Sequence, residues 1–137
     1  MISIIAEKPS VAREIASIVK ATNRKEGYLE GNGYTVTWAY GHLVGPDAPE
    51  KYGWTGGWDK RQLPMIPEQF SVSPIETADK DFAKTQAKQL KTIAELFKKA
   101  ERIIVATDAG REGELIFRYI YSHLSEKYKF HTPFDRL

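Results

Sequence analysis

Two short apolar runs, residues 2–6 and 103–106, stand about a hundred positions apart in the chain. Each run is continuous rather than alternating, which is typical of strands that are buried on both faces of a parallel sheet. The pattern therefore predicts two core strands of the same kind, one near each end of the chain.

Apolar residues recur at helical spacing in three segments, and each segment predicts a helix with one apolar face. The first helix is expected to begin at Pro9, since proline is favoured in the first helical turn. A second begins near residue 80, and a third follows Gly110. The predicted faces are Val11, Ala12, Ile15, Ala16 and Val19 in the first; Ala83, Ala87, Leu90, Ala94 and Phe97 in the second; and Leu115, Ile116, Tyr119, Ile120 and His123 in the third.

Residues 28–38 predict a β-hairpin, because the turn at residues 31–33 separates two segments rich in β-forming residues. Residues 41–70 show neither helical nor strand periodicity of apolar residues, which predicts a long irregular loop. Loops of this length are often functional. The order strand, helix, hairpin, loop, helix, strand, helix predicts an α/β fold with a mostly parallel central sheet flanked by helices.

Composition narrows the range of functions. The 137 residues suit one domain, and an apolar content of 42% suffices for a core. A net charge of +2 permits a nucleic-acid partner without arguing for one, and the absence of cysteine leaves only oxygen or imidazole ligands for a metal. No apolar stretch approaches the roughly 20 residues that a membrane span needs, and no signal peptide is visible, so we expect an intracellular protein.

A carboxylate ends each of the two predicted strands, Glu7 after the first and Asp108 after the second. Ligands of open α/β sheets bind at the carboxyl ends of the strands, so the two acids meet at one rim if the strands are parallel neighbours. Mg²⁺ relieves their repulsion, since it commonly takes one or two carboxylates plus water and phosphate oxygens. Lys8 and Arg111 would add the cations that stabilise charge on a phosphoryl group.

Each of these residues also has an ordinary structural interpretation. An aspartate between a strand and a helix is commonly a cap or turn residue. Glu112 and Glu114, at the start of the third helix, suit its dipole, and Glu7 with Lys8 suits a surface ion pair. Because both strand ends carry a carboxylate with a basic residue close by in the sequence, we favour the interpretation as a metal and phosphate site.

Four sequence blocks resemble the Toprim domain of type IA DNA topoisomerases, and in particular their topoisomerase III branch. Residues 108–114 resemble the signature Asp-x-Asp followed by Arg-Glu-Gly-Glu, although Gly110 replaces its second aspartate. The other blocks are Ile4-Ile5-Ala6-Glu7-Lys8-Pro9-Ser10, Trp38-Ala39-Tyr40-Gly41-His42-Leu43 and Leu63-Pro64-Met65-Ile66-Pro67. They follow the family's order, so the resemblance covers nearly the whole chain.

The resemblance implies the Rossmann-like Toprim fold and a role in the Mg²⁺-dependent cleavage and religation of single-stranded DNA, with Mn²⁺ as a substitute. Glu7 would help to bind the metal and handle the proton of the leaving 3′-oxygen. Lys8 would hold the scissile phosphate, and Arg111 would position the DNA or the attacking tyrosine. Asp108 would be the main metal ligand and Glu112 a further one.

His42 and the long loop are further candidates for contact with DNA. His42 suits either a DNA phosphate or a structural role in its loop. Aromatic and basic side chains interleaved along the loop resemble a stacking platform for single strands, although aromatics more often pin such a loop to its domain. They are Lys51, Tyr52, Trp54, Trp58, Lys60 and Arg61.

The family's nucleophilic tyrosine lies in a later domain, and none of the seven tyrosines here matches its context. We therefore expect residues 1–137 to be a single Toprim domain, the N-terminal fragment of a larger bacterial topoisomerase, inactive by itself. Its partners would be single-stranded DNA and the remaining domains, in the cytoplasm at the nucleoid or a plasmid. Two alternatives stay open: a self-sufficient Mg²⁺-dependent Toprim nuclease or primase-type protein, and a binding module that has lost its metal through Gly110.

Overall fold

A six-stranded sheet with helices on both faces forms the centre of the fold. The structure is a computed structural model that describes all residues from 1 to 137. Two short 3-10 turns, Pro49–Tyr52 and Lys60–Gln62, lie in the loop before residue 70. The helices and strands, in chain order, are β1 (Ile2–Ala6), α1 (Pro9–Ile18), β2 (Asn23–Lys25), β3 (Tyr28–Gly31), β4 (Tyr34–Trp38), β5 (Val44–Pro46), β6 (Val72–Pro74), α2 (Lys80–Lys99), β7 (Arg102–Ala106), α3 (Arg111–Tyr128) and β8 (Phe134–Arg136).

The strand order in the main sheet is β2-β3-β4-β1-β7-β8. β1 pairs in parallel with β4 on one side and with β7 on the other, and Ala6 lies opposite both Trp38 and Ala106. β8 adds a further parallel strand beside β7, whereas β2 and β3 are antiparallel. The mostly parallel sheet, the two core strands and the hairpin are thus confirmed, and the carboxyl ends of β4, β1 and β7 share one edge.

The core strands are buried on both faces, because alternate side chains point to opposite sides of the sheet. Ile5 and Val105 pack under α2 and α3, whereas Ile4, Ala6 and Ile104 pack under α1. A strand with apolar neighbours on both sides gains by carrying an uninterrupted apolar run, which explains the two continuous runs in the sequence.

The second predicted helix is confirmed as α2, although its buried face is only partly the predicted one. Leu90, Ala94 and Phe97 lie in the core, as the spacing indicated. The two alanines predicted in the first half of the helix lie outside the core. Two glutamines, Gln86 and Gln89, are buried in their place. The spacing of apolar residues could not predict the burial of these two glutamines, because polar residues are expected on the solvent side of a helix.

The third predicted helix is confirmed as α3, with its buried stripe shifted around the axis. Ile116 and Ile120 are buried as predicted, but Leu115 is 40% exposed. Phe117 and Leu124 take up the buried positions instead, since neighbouring residues stand about 100° apart around a helix. No helix of the structure combines the length and the apolarity needed to cross a membrane.

The segment 41–70 is less irregular than predicted. It contains β5, which pairs with β6 in a small ladder outside the main sheet. Asp47 accepts hydrogen bonds from Lys51 Nζ at 2.9 Å and from the Ser71 hydroxyl. The Tyr52 phenol accepts one from the Ser71 backbone N–H at 2.9 Å. The two bonds to Ser71 hold the long loop against the residue that precedes β6.

Gly113 lets helix α3 come very close to the backbone of the preceding turn. A Cβ at this position would lie 2.1 Å from the carbonyl oxygen of Asp108. Alanine in a helix normally stabilises relative to glycine by about 1 kcal/mol, but here that overlap must move the β7–α3 turn. We expect Gly113→Ala to lower the free energy of unfolding by roughly 1–3 kcal/mol in urea denaturation.

Gly110→Ala is the matched control, because a Cβ at Gly110 meets nothing within 4 Å and the backbone there is extended, with φ of −157°. Its free energy of unfolding should change by no more than about 0.5 kcal/mol. An equal response of the two variants, or stabilisation by Gly113→Ala, would show that the close approach does not constrain the turn.

Candidate functional site

The two strand-end acids lie side by side. Glu7 directly follows β1, and Asp108 lies two residues beyond β7. The Asp108 backbone N–H is 3.4 Å from Glu7 Oε2, and the Glu7 carbonyl accepts a 3.2 Å hydrogen bond from the N–H of Gly41. The ends of β1, β4 and β7 therefore meet at one polar edge of the sheet, which we call the rim.

The turn between β7 and α3 leaves the Asp108 carboxylate outside the helix cap. Gly110 is the N-cap residue of α3 and supplies no side-chain cap. The Gly110 N–H donates to the Asp108 backbone carbonyl at 2.8 Å, and the Thr107 hydroxyl donates to the Gly113 carbonyl at 2.8 Å. The ordinary interpretation of Asp108 as a capping residue thus fails, and its exposed carboxylate is open to a ligand.

The two predicted cations stand near the acids without neutralising them. Lys8 is the N-cap residue of α1 and caps nothing with its side chain. Arg111 begins α3. Both side chains are exposed, and neither forms an ion pair in the structure. Glu7 and Lys8 are not paired with each other, so the interpretation of these two residues as a surface ion pair also fails.

His42 and Glu112 lie together across the rim. His42 Nε2 is 2.9 Å from Glu112 Oε1, with 42% and 80% of the two side chains exposed. The contact joins the segment after β4 to the first turn of α3. The sequence singled out each residue but gave no sign of their pairing, because 70 positions separate them.

Glu114 has a structural role. Its carboxylate accepts hydrogen bonds from Arg118 Nε at 2.7 Å and from Arg136 Nη2 at 2.7 Å. These bonds, first from Arg118 and then from Arg136, hold the pKa of Glu114 below its usual value. Arg136 also donates to the carbonyl of Thr107, just before Asp108. Sequence reasoning missed Arg136, which lies on the edge strand β8.

The donor set at the rim suits a hard cation, since Glu7, Asp108 and Glu112 offer only carboxylate oxygens. These three side chains do not converge on one point, and the structure contains no group of three such ligands gathered for a metal. Glu112 is turned toward His42, which leaves Glu7 and Asp108 as the neighbouring pair. Mg²⁺ is commonly held by only one or two carboxylates together with water and phosphate, so the residues present fit it.

The aromatic side chains of the long loop differ in their surroundings. The Tyr52 and Trp54 rings pack with centroids 6.1 Å apart, and Tyr52 is hydrogen-bonded to Ser71. They pin the loop to its domain. Trp58 is 93% exposed and does not contribute to that packing. Lys51, expected beside a bound strand, is paired with Asp47 instead.

Comparison with known families agrees with the α/β fold. The family model described as "Toprim domain" matches residues 3–136, which include the rim residues and, apart from Ile2, all the helices and strands. The chain belongs to the Toprim family. The rim residues and Gly110 all lie within the matched part of the chain.

The Toprim domain is also similar to bacterial proteins named DNA topoisomerase 3. It is 44% identical over 135 residues to those of Bacillus cereus and Bacillus anthracis. It is 41% identical over 138 residues to that of Shouchella clausii. In each case the match covers 98% of this chain but 17% of the relative, so the chain spans about a sixth of the length of these proteins.

The structural role of Glu114 predicts a pH-dependent loss of stability. Because its pKa is lowered in the folded protein, its contribution is complete above the unfolded value near 4.5 and is lost as the pH falls through the folded pKa. We expect Glu114→Gln to lower the free energy of unfolding by up to about 1 kcal/mol at pH 7, since the pair is partly exposed. The difference from the wild type should shrink near pH 3.5 in urea denaturation.

Glu126→Gln is the matched control, since Glu126 is exposed on the same helix and forms no ion pair. It should leave the unfolding free energy unchanged at both pH values. A difference between Glu114→Gln and the wild type that stays constant down to pH 3.5 would contradict the charge-based explanation.

Proposed function

We propose that the chain is the Toprim domain of a topoisomerase 3-like protein and takes part in the Mg²⁺-dependent cleavage and religation of single-stranded DNA. One observation carries the proposal: two carboxylates, Glu7 and Asp108, end neighbouring parallel strands beside two unpaired cations. The identity to proteins named DNA topoisomerase 3 supports DNA as the substrate and a bacterial cytoplasm as the location.

Each rim residue has a defined part in this proposal. Glu7 and Asp108 would hold the metal, with Glu112 as a further ligand when it leaves His42. The chemistry that bound Mg²⁺ supplies is neutralisation of charge on the phosphate. Glu7 would also hold the proton that passes to and from the 3′-oxygen of the cleaved strand. Lys8 would bind the scissile phosphate.

Arg111 and His42 would act on the DNA rather than on the metal. Arg111 stands in the first turn of α3 with an unpaired guanidinium, which suits bidentate contact with a phosphate. His42 borders the rim and would meet the same strand once it parts from Glu112. Both residues would position the phosphodiester for attack.

The attacking tyrosine would come from a part of the protein beyond these 137 residues. The chain spans about 17% of the relatives' length, which leaves ample room for further domains. Residues 1–137 would then be one domain of a larger topoisomerase, and the other domains would be its partners. By itself the domain would bind the metal and the strand without cleaving DNA.

A metal titration of the chain tests the site directly. Asp108→Asn should weaken Mg²⁺ or Mn²⁺ binding in calorimetry by tenfold or more, on the order of the effect of losing a ligand contact. Glu114→Gln should leave metal binding nearly unchanged, since that carboxylate is bound by two arginines. Gly110→Asp, which restores the signature's second carboxylate, should tighten binding.

Equal losses in Asp108→Asn and Glu114→Gln would overturn the assignment of the metal ligands. If no metal binding depends on Asp108, the alternative of a binding module that has lost its metal would be favoured. Circular dichroism of each variant would show that the fold is retained.

A self-sufficient Toprim nuclease is the second candidate, because the exposed Asp108 carboxylate leaves the rim open to water as a nucleophile. Incubation of the chain with supercoiled plasmid and with single-stranded DNA, in Mg²⁺ and in Mn²⁺, separates the two. We expect no cleavage by the chain alone. Metal-dependent nicking that disappears in Asp108→Asn would establish the nuclease instead.

A further inference from the structure

A cleft with a volume of about 280 Å³ borders the segment that follows β4, and the same segment continues to His42 at the rim. It is lined by the turn between β2 and β3, by Tyr40 just after β4, and by one face of α2. Tyr40 lies two residues before His42, hence within about 7.6 Å along the backbone. About two nucleotides of a DNA strand suffice to span this distance from a phosphate at the rim.

The cleft is lined by a buried glutamine, Gln89, whose side-chain oxygen has no hydrogen-bond donor within the protein. Gln89 is only 4% exposed, and its Nε2 donates to the carbonyls of Gly27 at 3.1 Å and Trp38 at 2.8 Å. It also approaches the Thr37 hydroxyl, which itself donates to Gly27. Carbonyl oxygens only accept hydrogen bonds, so this orientation of the amide is fixed. Gln89 Oε1 consequently faces away from these partners and accepts no hydrogen bond within the protein.

Space beside this oxygen is kept open by a glycine. Gly27 has φ of +82°, and a Cβ there would lie 2.6 Å from Gln89 Oε1. The glycine serves the turn and also leaves the acceptor uncovered. Gln89 Oε1 bonds no donor of the protein and is not a fully buried atom, so solvent reaches it and a ligand's N–H can take the place of water there.

The remaining walls supply an aromatic face and positive charge. The Tyr40 ring is 38% exposed and is held edge-on by Trp38, with centroids 6.1 Å apart. Lys84 and Lys88 stand on the α2 wall, with side chains 82% and 62% exposed. Glu26 pairs with Lys88, and Asp81 lies 3.9 Å from the ammonium group of Lys84, so both charges are partly offset. The cleft thus combines a ring, a fixed acceptor and two ammonium groups.

We propose that this cleft binds one nucleotide of single-stranded DNA. The base lies against Tyr40 and donates an N–H to Gln89 Oε1, while Lys84 and Lys88 contact the backbone phosphates. Aromatic stacking with adjacent basic residues is the usual means of holding single strands. The inference rests on the proposed function, because the strand in the cleft is the one whose phosphate reaches the rim.

The test is an NMR titration of the chain in EDTA with a short deoxycytidine oligonucleotide, whose base carries an amino donor. We expect the side-chain amide signals of Gln89 and the backbone signal of Tyr40 to shift. Tyr40→Asn removes the ring at a left-handed position that asparagine tolerates and should weaken binding about fivefold or more. An abasic oligonucleotide of equal length should bind more weakly by a similar factor.

The lysine contacts are tested by the salt dependence of affinity, measured by fluorescence anisotropy. Lys84→Ala should reduce the slope of log affinity against log salt by about 0.7, the value for one lost phosphate contact with a single strand. Lys98→Ala, an exposed charge on the same helix outside the cleft, is the matched control and should leave the slope unchanged. Glu26→Gln should tighten binding by freeing Lys88.

Unshifted Gln89 signals, equal binding of the abasic oligonucleotide, or equal effects of Lys84→Ala and Lys98→Ala would overturn the inference. These results are independent of the metal site, because EDTA is present throughout. A chain that binds metal through Asp108 but shows no DNA in the cleft would refute only the cleft. The opposite pair of results would refute only the proposed metal chemistry.

Discussion

The parallel pairing of β1 with β4 on one side and with β7 on the other brings the two acids of the candidate site together. Ala6 stands opposite both Trp38 and Ala106, so the three strands end at the same level. Glu7 and Asp108, 101 positions apart in the chain, consequently become neighbours. A slip of one residue in this register would exchange the two faces of β1 and turn its apolar residues toward the wrong helices.

The same register places the cleft and the rim on one path, since the segment after β4 lines the first and reaches the second. Support for the rim comes from outside the three strands. Gly113 lets α3 approach the backbone of Asp108, and Arg136 on β8 donates to the carbonyl of Thr107 while it holds Glu114. The polar groups around the turn are thereby bonded, and the Asp108 carboxylate is left unbonded. A ligand carboxylate needs such a rigid base if it is to hold a metal in one geometry.

Much of this arrangement could be predicted from sequence, because it depends on local pattern. Continuous apolar runs identified β1 and β7, helical periodicity identified the three helices, and a glycine turn identified the hairpin. The short strands β2, β5, β6 and β8 were not predicted, because a strand of three residues shows too little periodicity to be recognised in a sequence. The acids at the rim were found because each follows a strongly patterned strand.

The contacts that sequence reasoning did not find join polar side chains to partners far away in the chain. Gln89 is buried because three acceptors surround its amide, and no property of residues 80–99 alone reveals those acceptors. Arg136 and His42 find partners 22 and 70 positions away. Such contacts require the tertiary fold, whereas the resemblance to Toprim sequences identifies residue types without their partners.

Gly110 has a consequence for how metal and DNA binding are linked under the proposed function. With one signature carboxylate missing and Glu112 turned toward His42, the protein offers the metal two close oxygen ligands, Glu7 and Asp108. Water and phosphate oxygens would complete the coordination of a Mg²⁺ held by these two residues. A site completed by the substrate binds metal more tightly when the substrate is present, and by thermodynamic reciprocity the metal strengthens phosphate binding to the same degree. Under the proposed function, the absence of this carboxylate would therefore make the two binding events more interdependent in this chain than in a Toprim site that retains both aspartates.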